Sequence, residues 1–122
     1  MLKEKKIAII GGGNLGSAIA VGLVESHELP PNQVHVTRRQ ADQRAGLARM
    51  GMVTGTDNRL AIRDAGIVLL AVKPYHIEKV IRDIVPVLQK DQVLVSLATG
   101  VSLAHLREWS ENRVKVFRAM PN

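Results

Sequence analysis

The sequence predicts an α/β fold, an open, parallel, doubly wound sheet, and three observations carry that prediction. Short, largely apolar runs at residues 6–10, 67–72 and 93–97 lack the polar alternation of half-exposed strands, as expected where helices cover both sheet faces. The segments between them carry helical periodicity. Gly11, Gly13 and Gly16 follow the first run directly, at the spacing of a turn that opens a helix beneath a dinucleotide pyrophosphate. Alternating strands and helices joined by right-handed crossovers give the expected strand order 3-2-1-4-5-6, with strands one and four side by side at the switch point.

Each element has its own grounds. Strand one spans 6–10. The first helix spans 14–25, with Leu15, Ala18, Ile19, Gly22 and Leu23 forming one apolar stripe. Pro30, Pro31 and Asn32 make a rigid turn before a short strand at 34–36. The next helix, 40–50, is weak, its inner face resting on Ala41, Ala45 and Ala48, and Gly51 stands where a helix-terminating glycine belongs. A marginal third strand covers 52–54. Asp57 or Asn58 caps a short helix running to about residue 65, ahead of the fourth strand at 67–72. Ile77, Val80, Ile81, Ile84, Val85 and Leu88 give the clearest helical stripe, ended or bent by Pro86. Strand five is 93–97, Ser102 caps a helix over 103–109, and 115–119 is the last strand.

At 122 residues the whole chain, 1–122, reads as one dinucleotide-binding domain, able to bury roughly 65% of its unfolded surface. Trp109, Tyr75 and Phe117 are its only aromatics, so the core must be aliphatic. The net charge of +6 comes from scattered residues. Only Lys3, Lys5, Lys6 and Arg38, Arg39, Arg44, Arg49 group together, and no aromatics interleave to stack bases, so no nucleic-acid partner is expected. The absence of cysteine excludes disulfides and thiol chemistry and fits a cytoplasmic protein. The uncharged stretch 7–24 follows lysines and imitates a secretory signal, but five glycines and Asn14 interrupt it. No membrane partner is expected. His27, His35, His76 and His105 have no ligand-like spacing with carboxylates, so no metal site is expected.

The candidate site follows from the strand ends. Gly11 permits the tight turn, Gly13 admits the pyrophosphate and Gly16 packs helix on strand, leaving the amides of Asn14, Leu15 and Gly16 at the positive end of the helix. Strand two ends in Thr37-Arg38-Arg39, with no acid before Asp42. A carboxylate there would serve a ribose 2′-hydroxyl, whereas a guanidinium holds a 2′-phosphate with forked hydrogen bonds. At roughly 1.5–3 kcal/mol for each hydrogen bond to a charged group, one or two arginines favour NADP (NADPH) over NAD by about tenfold to a few thousandfold. Ala71, Val72, Lys73 and Pro74 end strand four beside the turn. There Pro74 fixes the exit of the chain and Lys73 faces the cofactor ribose. Ala98, Thr99 and Gly100 end strand five in the same row, small enough to admit a flat nicotinamide ring. No nucleophilic triad is evident, and no residue of this chain is assigned a catalytic role.

These motifs resemble the pyrroline-5-carboxylate reductase family. The resemblance runs through Ile9-Ile10-Gly11-Gly12-Gly13-Asn14-Leu15-Gly16, Leu70-Ala71-Val72-Lys73-Pro74, Ser96-Leu97-Ala98-Thr99-Gly100 and Arg118-Ala119-Met120-Pro121-Asn122. It implies NAD(P)H-dependent reduction of a small cyclic imine, 1-pyrroline-5-carboxylate, to L-proline. It further implies that Asn58 helps hold the adenosine end, that residues 71–74 and 98–100 line the ribose and nicotinamide, and that Asn122 lies near the reacting end. Alanine at the position of Gly16 is common in the family, which makes the glycine a mild departure. The family continues into a C-terminal helical domain that forms the homo-oligomer, closes the imine site and supplies the proposed proton donor. That domain is absent from these 122 residues, so the chain is expected to bind cofactor without turning over. Two alternatives stand beside this reading: a stand-alone, non-catalytic NADP-binding or sensing module, and another NADP oxidoreductase such as an F420-dependent NADP reductase or a hydroxyacid dehydrogenase.

Overall fold

A computed structural model describes residues 6–11 and 13–120. Its strands are β1 (Lys6–Ile10), β2 (Val34–Thr37), β3 (Val53–Gly55), β4 (Ala65–Leu70), β5 (Val93–Ser96) and β6 (Lys115–Arg118). Its helices are α1 (Asn14–Glu25), α2 (Ala41–Arg49), α3 (Asn58–Ile62), α4 (Pro74–Ile84) and α5 (Leu103–Trp109). All five strand pairings are parallel, and the spatial order is β3-β2-β1-β4-β5-β6, as the alternation predicted.

The sheet divides the core in two. On one face Ile7, Ile9, Val34 and Val36 meet Ala20 and the half-buried Ile19, Leu23 and Val24 of α1, with Leu47 of α2. On the other, Ala8, Ile10, Val68, Leu70 and Leu94 meet Ala61 and Ile62 of α3, Ile77, Ile81 and Ile84 of α4, and Leu106 of α5. The α1/α2 layer stops short of the last strands. Val93 and Val95 alternate with buried Leu94 and are only half-buried, and Phe117, beyond them on β6, is 51% exposed.

Two predicted helix faces are corrected. In α1 the fully buried positions are Gly16 and Ala20, while Leu15, Ala18 and Gly22 are exposed. The glycine turn fixes the rotation of the helix: Gly16 must lie against the backbone of the turn, and the whole stripe rotates with it. In α2 only Leu47 is fully buried, and Ala41 and Ala48 face outward. Leu47, larger than any single alanine of that row, is the buried residue, and it sets the face.

The ends are built locally. Met50 caps α2, Gly51 adopts φ +96°, and the amides of Gly51 and Met52 return to the carbonyls of Ala48 (2.9 Å) and Leu47 (3.3 Å). That is a Schellman closure, and it draws Met52 out of β3, which begins at Val53. Asp57, not Asn58, caps α3, accepting from the amides of Arg59 (3.0 Å) and Leu60 (3.2 Å). The helix stops at Ile62, short of residue 65, because Arg63 turns extended and Asp64 enters the left-handed region at φ +63°. β4 therefore begins at Ala65. Buried Gln92 seals this junction, donating from Nε2 to the carbonyls of Ile62 (2.7 Å) and Ala65 (3.0 Å). Pro86 ends α4 as predicted, and Val85–Val87 tighten into a 3-10 turn. Ser102 caps α5 by accepting from the His105 amide at 3.1 Å. β2 runs one residue further than predicted, and β4, β5 and β6 stop one or two residues earlier.

Candidate dinucleotide site

The carboxyl ends of the strands stand in one row, and backbone bonds continue the ladders past them. The Gly11 amide donates to the Thr37 carbonyl (3.2 Å), Arg38 to Gly55 (2.9 Å), Ala71 to Ile10 (2.8 Å), Leu97 to Leu70 (3.0 Å) and Ala119 to Ser96 (3.0 Å). Each exit turn is thus tied to its neighbour before the chains diverge.

At the switch point between β1 and β4 the three described glycines do different work. Gly11 has φ +86°, and a Cβ there would overlap Cγ1 of Val72, so both conformation and packing require glycine. A Cβ at Gly16 would lie 2.7 Å from the Gly11 carbonyl oxygen and 3.2 Å from both Ala71 Cβ and Ile9 Cγ2. Alanine at Gly16 is therefore not the mild change that the resemblance suggested. Gly13 differs from both. Its φ of −67° suits any residue, and a Cβ would meet nothing within 4 Å. Neither backbone nor packing accounts for glycine at that position, and it leaves the approach to α1 clear.

That approach leads to an anion-seeking surface. Gly13 caps α1 without a capping side chain, and the first turn contains no acid. The amides of Asn14, Leu15 and Gly16 have no acceptor within the helix, as at any helix start, and the aligned peptide dipoles make that end positive. The residues present fit a dinucleotide phosphate by shape and by sign.

Around this turn lie the other predicted residues. Thr37 is 3% exposed, and its Oγ1 lies 3.4 Å from the Gly11 amide, so it braces the turn from below. Arg38 follows with its amide bound to β3, and Arg39 is exposed. Val72 packs against Gly11, Lys73 caps α4, and Pro74 is the first helical residue there. Ala98 is buried, its amide donating to Ser96 Oγ at 3.2 Å, while Thr99 and Gly100 are exposed at the top of β5. Asn58 opens α3, the helix that crosses back to β4. Asn122, like Gly12, lies outside the described residues.

Two residues near the site escaped the sequence reading. Arg44 reaches back from α2 to the carbonyls of Arg38 (2.6 Å) and Arg39 (2.9 Å). The available signal was its place one turn into a helix, where side chains lean toward the N-terminus and the preceding loop. His35 is buried in β2, and burial, aided by the nearby charge of Lys6 and opposed by Asp57, holds its imidazole below the usual histidine range. Among the described residues no cluster of three or more His, Asp or Glu is placed to hold a metal ion. A hollow of about 720 Å³ lies at the opposite end of the sheet, bordered by Arg59, Arg63, Asp64 and Asp91. Its charges of both signs make it no anion site.

Fold, switch point and glycine turn together define a dinucleotide-binding domain of the Rossmann class. Comparison with known proteins agrees: residues 6–100 match the family described as NADP oxidoreductase, coenzyme F420-dependent, and the chain belongs to that family. It is 38% identical over 120 residues to a pyrroline-5-carboxylate reductase of Escherichia coli K12, covering 98% of this chain and 45% of that protein. Against the pyrroline-5-carboxylate reductase of Corynebacterium melassecola the identity is also 38% over 120 residues, covering 95% and 44%. A solved pyrroline-5-carboxylate reductase of Coxiella burnetii superposes with a TM-score of 0.91 at 35% identity, covering 97% of this chain and 44% of that one. The chain thus spans a little under half the length of these relatives.

Proposed function

We propose that residues 1–122 are the cofactor domain of an NADPH-dependent reductase of a small cyclic imine, a pyrroline-5-carboxylate reductase that makes L-proline. The observation that carries the cofactor reading is the open, uncapped first turn of α1 at the switch point, approached across Gly13. What supports the substrate is the shared identity with pyrroline-5-carboxylate reductases across nearly the whole chain.

In this reading the amides of Asn14, Leu15 and Gly16 hold the pyrophosphate, and Gly11 and Gly13 give it room. Thr37 braces the turn while Arg38 and Arg39 bind the adenosine 2′-phosphate. Asn58 supports the adenosine end. Ala71, Val72, Lys73 and Pro74, with Ala98, Thr99 and Gly100, bound the ribose and nicotinamide, and Asn122 stands near the reacting end. When bound, the reduced nicotinamide supplies the hydride. The task of this chain is distance and orientation, and none of its residues is assigned proton transfer. The imine pocket, the proton donor and the homo-oligomer contacts belong to the part of the longer relatives that this chain does not match. A cytoplasmic location accompanies the reading. The lack of cysteine and the absence, among the described residues, of a helix long and apolar enough to cross a membrane agree with it.

Calorimetric titration tests the assignment. NADPH should bind at least about tenfold tighter than NADH, the value of roughly one hydrogen bond to a charged group, and Arg38→Ala/Arg39→Ala should erase the difference. Equal dissociation constants for the two cofactors would remove the NADP assignment.

A further inference from the structure

The loop from β2 to α2 is organised by a side chain rather than by regular secondary structure. Arg44 donates from a single nitrogen, Nη1, to two successive carbonyl oxygens, those of Arg38 at 2.6 Å and Arg39 at 2.9 Å. The Arg38 amide is held separately by the Gly55 carbonyl at 2.9 Å. Helix α2 itself begins without a side-chain cap at Gln40. Remove the Arg44 guanidinium, and the carbonyls of Arg38 and Arg39 each lose a hydrogen bond from it.

From this geometry we infer that Arg44 is a positioning residue for NADP selectivity: it holds the Arg38–Arg39 loop in the form that receives the 2′-phosphate. The inference rests on the proposed role of Arg38 and Arg39. Two physical effects support it. First, a carbonyl turned toward a guanidinium is turned away from an incoming anion. In a trans peptide the following N–H points opposite to that carbonyl, and no cis peptide is present among the described residues. The amides of Arg39 and Gln40 therefore face away from Arg44, with their positive ends outward. Second, arginine side chains lose considerable rotamer freedom on binding. A backbone already fixed at its Cα positions leaves less to be ordered when the phosphate arrives. Arg44 thus acts through the loop without needing to touch the cofactor.

The test compares NADP+, NAD+ and adenosine 2′-monophosphate by titration against the wild-type chain, Arg44→Met and Arg38→Ala/Arg39→Ala, with melting temperatures recorded for each. Arg44→Met should weaken NADP+ and adenosine 2′-monophosphate about tenfold, the value of one weakened charge-assisted bond, while NAD+ affinity stays within about twofold. Arg44→Gln, which keeps a donor but no charge, should lie between, and it carries the test alone if Arg44→Met does not fold. Equal weakening of NADP+ and NAD+ would mean that Arg44 merely supports the local structure, and the inference would fall. It would fall equally if neither affinity moved. If Arg38→Ala/Arg39→Ala collapses the NADP+ preference and the Arg44 variants do not, only this inference is lost. If the wild-type chain shows no preference at all, the parent reading is lost with it.

Discussion

Gly13 and Gly16 stand three residues apart in one motif, yet they answer to different constraints. A Cβ at Gly16 presses on the backbone oxygen of Gly11, so Gly16→Ala should cost about 1–2 kcal/mol of unfolding free energy even after the gain in helix propensity. A Cβ at Gly13 meets only open space. Gly13→Ala should therefore change stability by less than about 1 kcal/mol, the range of an N-cap exchange, while weakening NADPH binding at least about tenfold. Chemical denaturation and titration on the two variants separate the roles. A Gly13→Ala protein that binds as well as wild type would remove Gly13 from the site. Spacing alone located both glycines, but it could not tell them apart, because the difference lies in what faces each Cβ.

Helix termini show a similar split between what a local pattern states and what the fold decides. Gly51 was legible because only glycine sits easily at the φ its closure needs. The end of α1 uses the same closure with a different residue. His27 adopts φ +62°, its amide bonds the Val24 carbonyl at 3.1 Å, and the Glu28 amide bonds the Leu23 carbonyl at 3.1 Å. A side chain in that region is strained by about 1–2 kcal/mol, part of which glycine returns as unfolded-chain entropy. His27→Gly should thus raise the unfolding free energy by about 0.5–1 kcal/mol, read from the denaturant midpoint, and an unchanged or lower midpoint would contradict the assignment. Strong periodicity made α4 readable, since its stripe admits one orientation only. Weak periodicity did not do the same for α1 and α2. Small residues on several sides of α1 left its rotation open until Gly16 fixed it, and in α2 the face was set by Leu47 and not by the alanine row.

For the molecule as a whole, the sheet order was legible from the alternation of elements and the handedness of crossovers, which local detail does not disturb. Less legible were contacts made by long side chains across loops, such as Arg44 to Arg38 and Arg39, because no periodicity marks them. The burial of His35 was likewise hidden, since a histidine inside a four-residue strand looks the same from sequence whether covered or not. That burial links the fold to pH. In the unfolded chain His35 titrates near the ordinary histidine value of 6.5, while in the fold burial lowers its pKa. Below that pH the unfolded state takes up a proton that the folded state resists, so stability falls as pH drops through 6.5 toward the folded value, and above it the group contributes nothing. Melting curves at about pH 7.5 and 5.5 should show a smaller acid loss for His35→Leu than for wild type. An identical loss in both would exclude His35 as its source.

The row of strand-end bonds has a consequence for how far such a sequence can drift. Every bond in that row joins one backbone amide to one backbone carbonyl, so most side chains above the sheet can be exchanged without loosening it. Among the described residues of the glycine turn, Gly11 and Gly16 are the positions where a Cβ would collide. A chain with so few obligatory letters can keep its architecture while most of its text is rewritten.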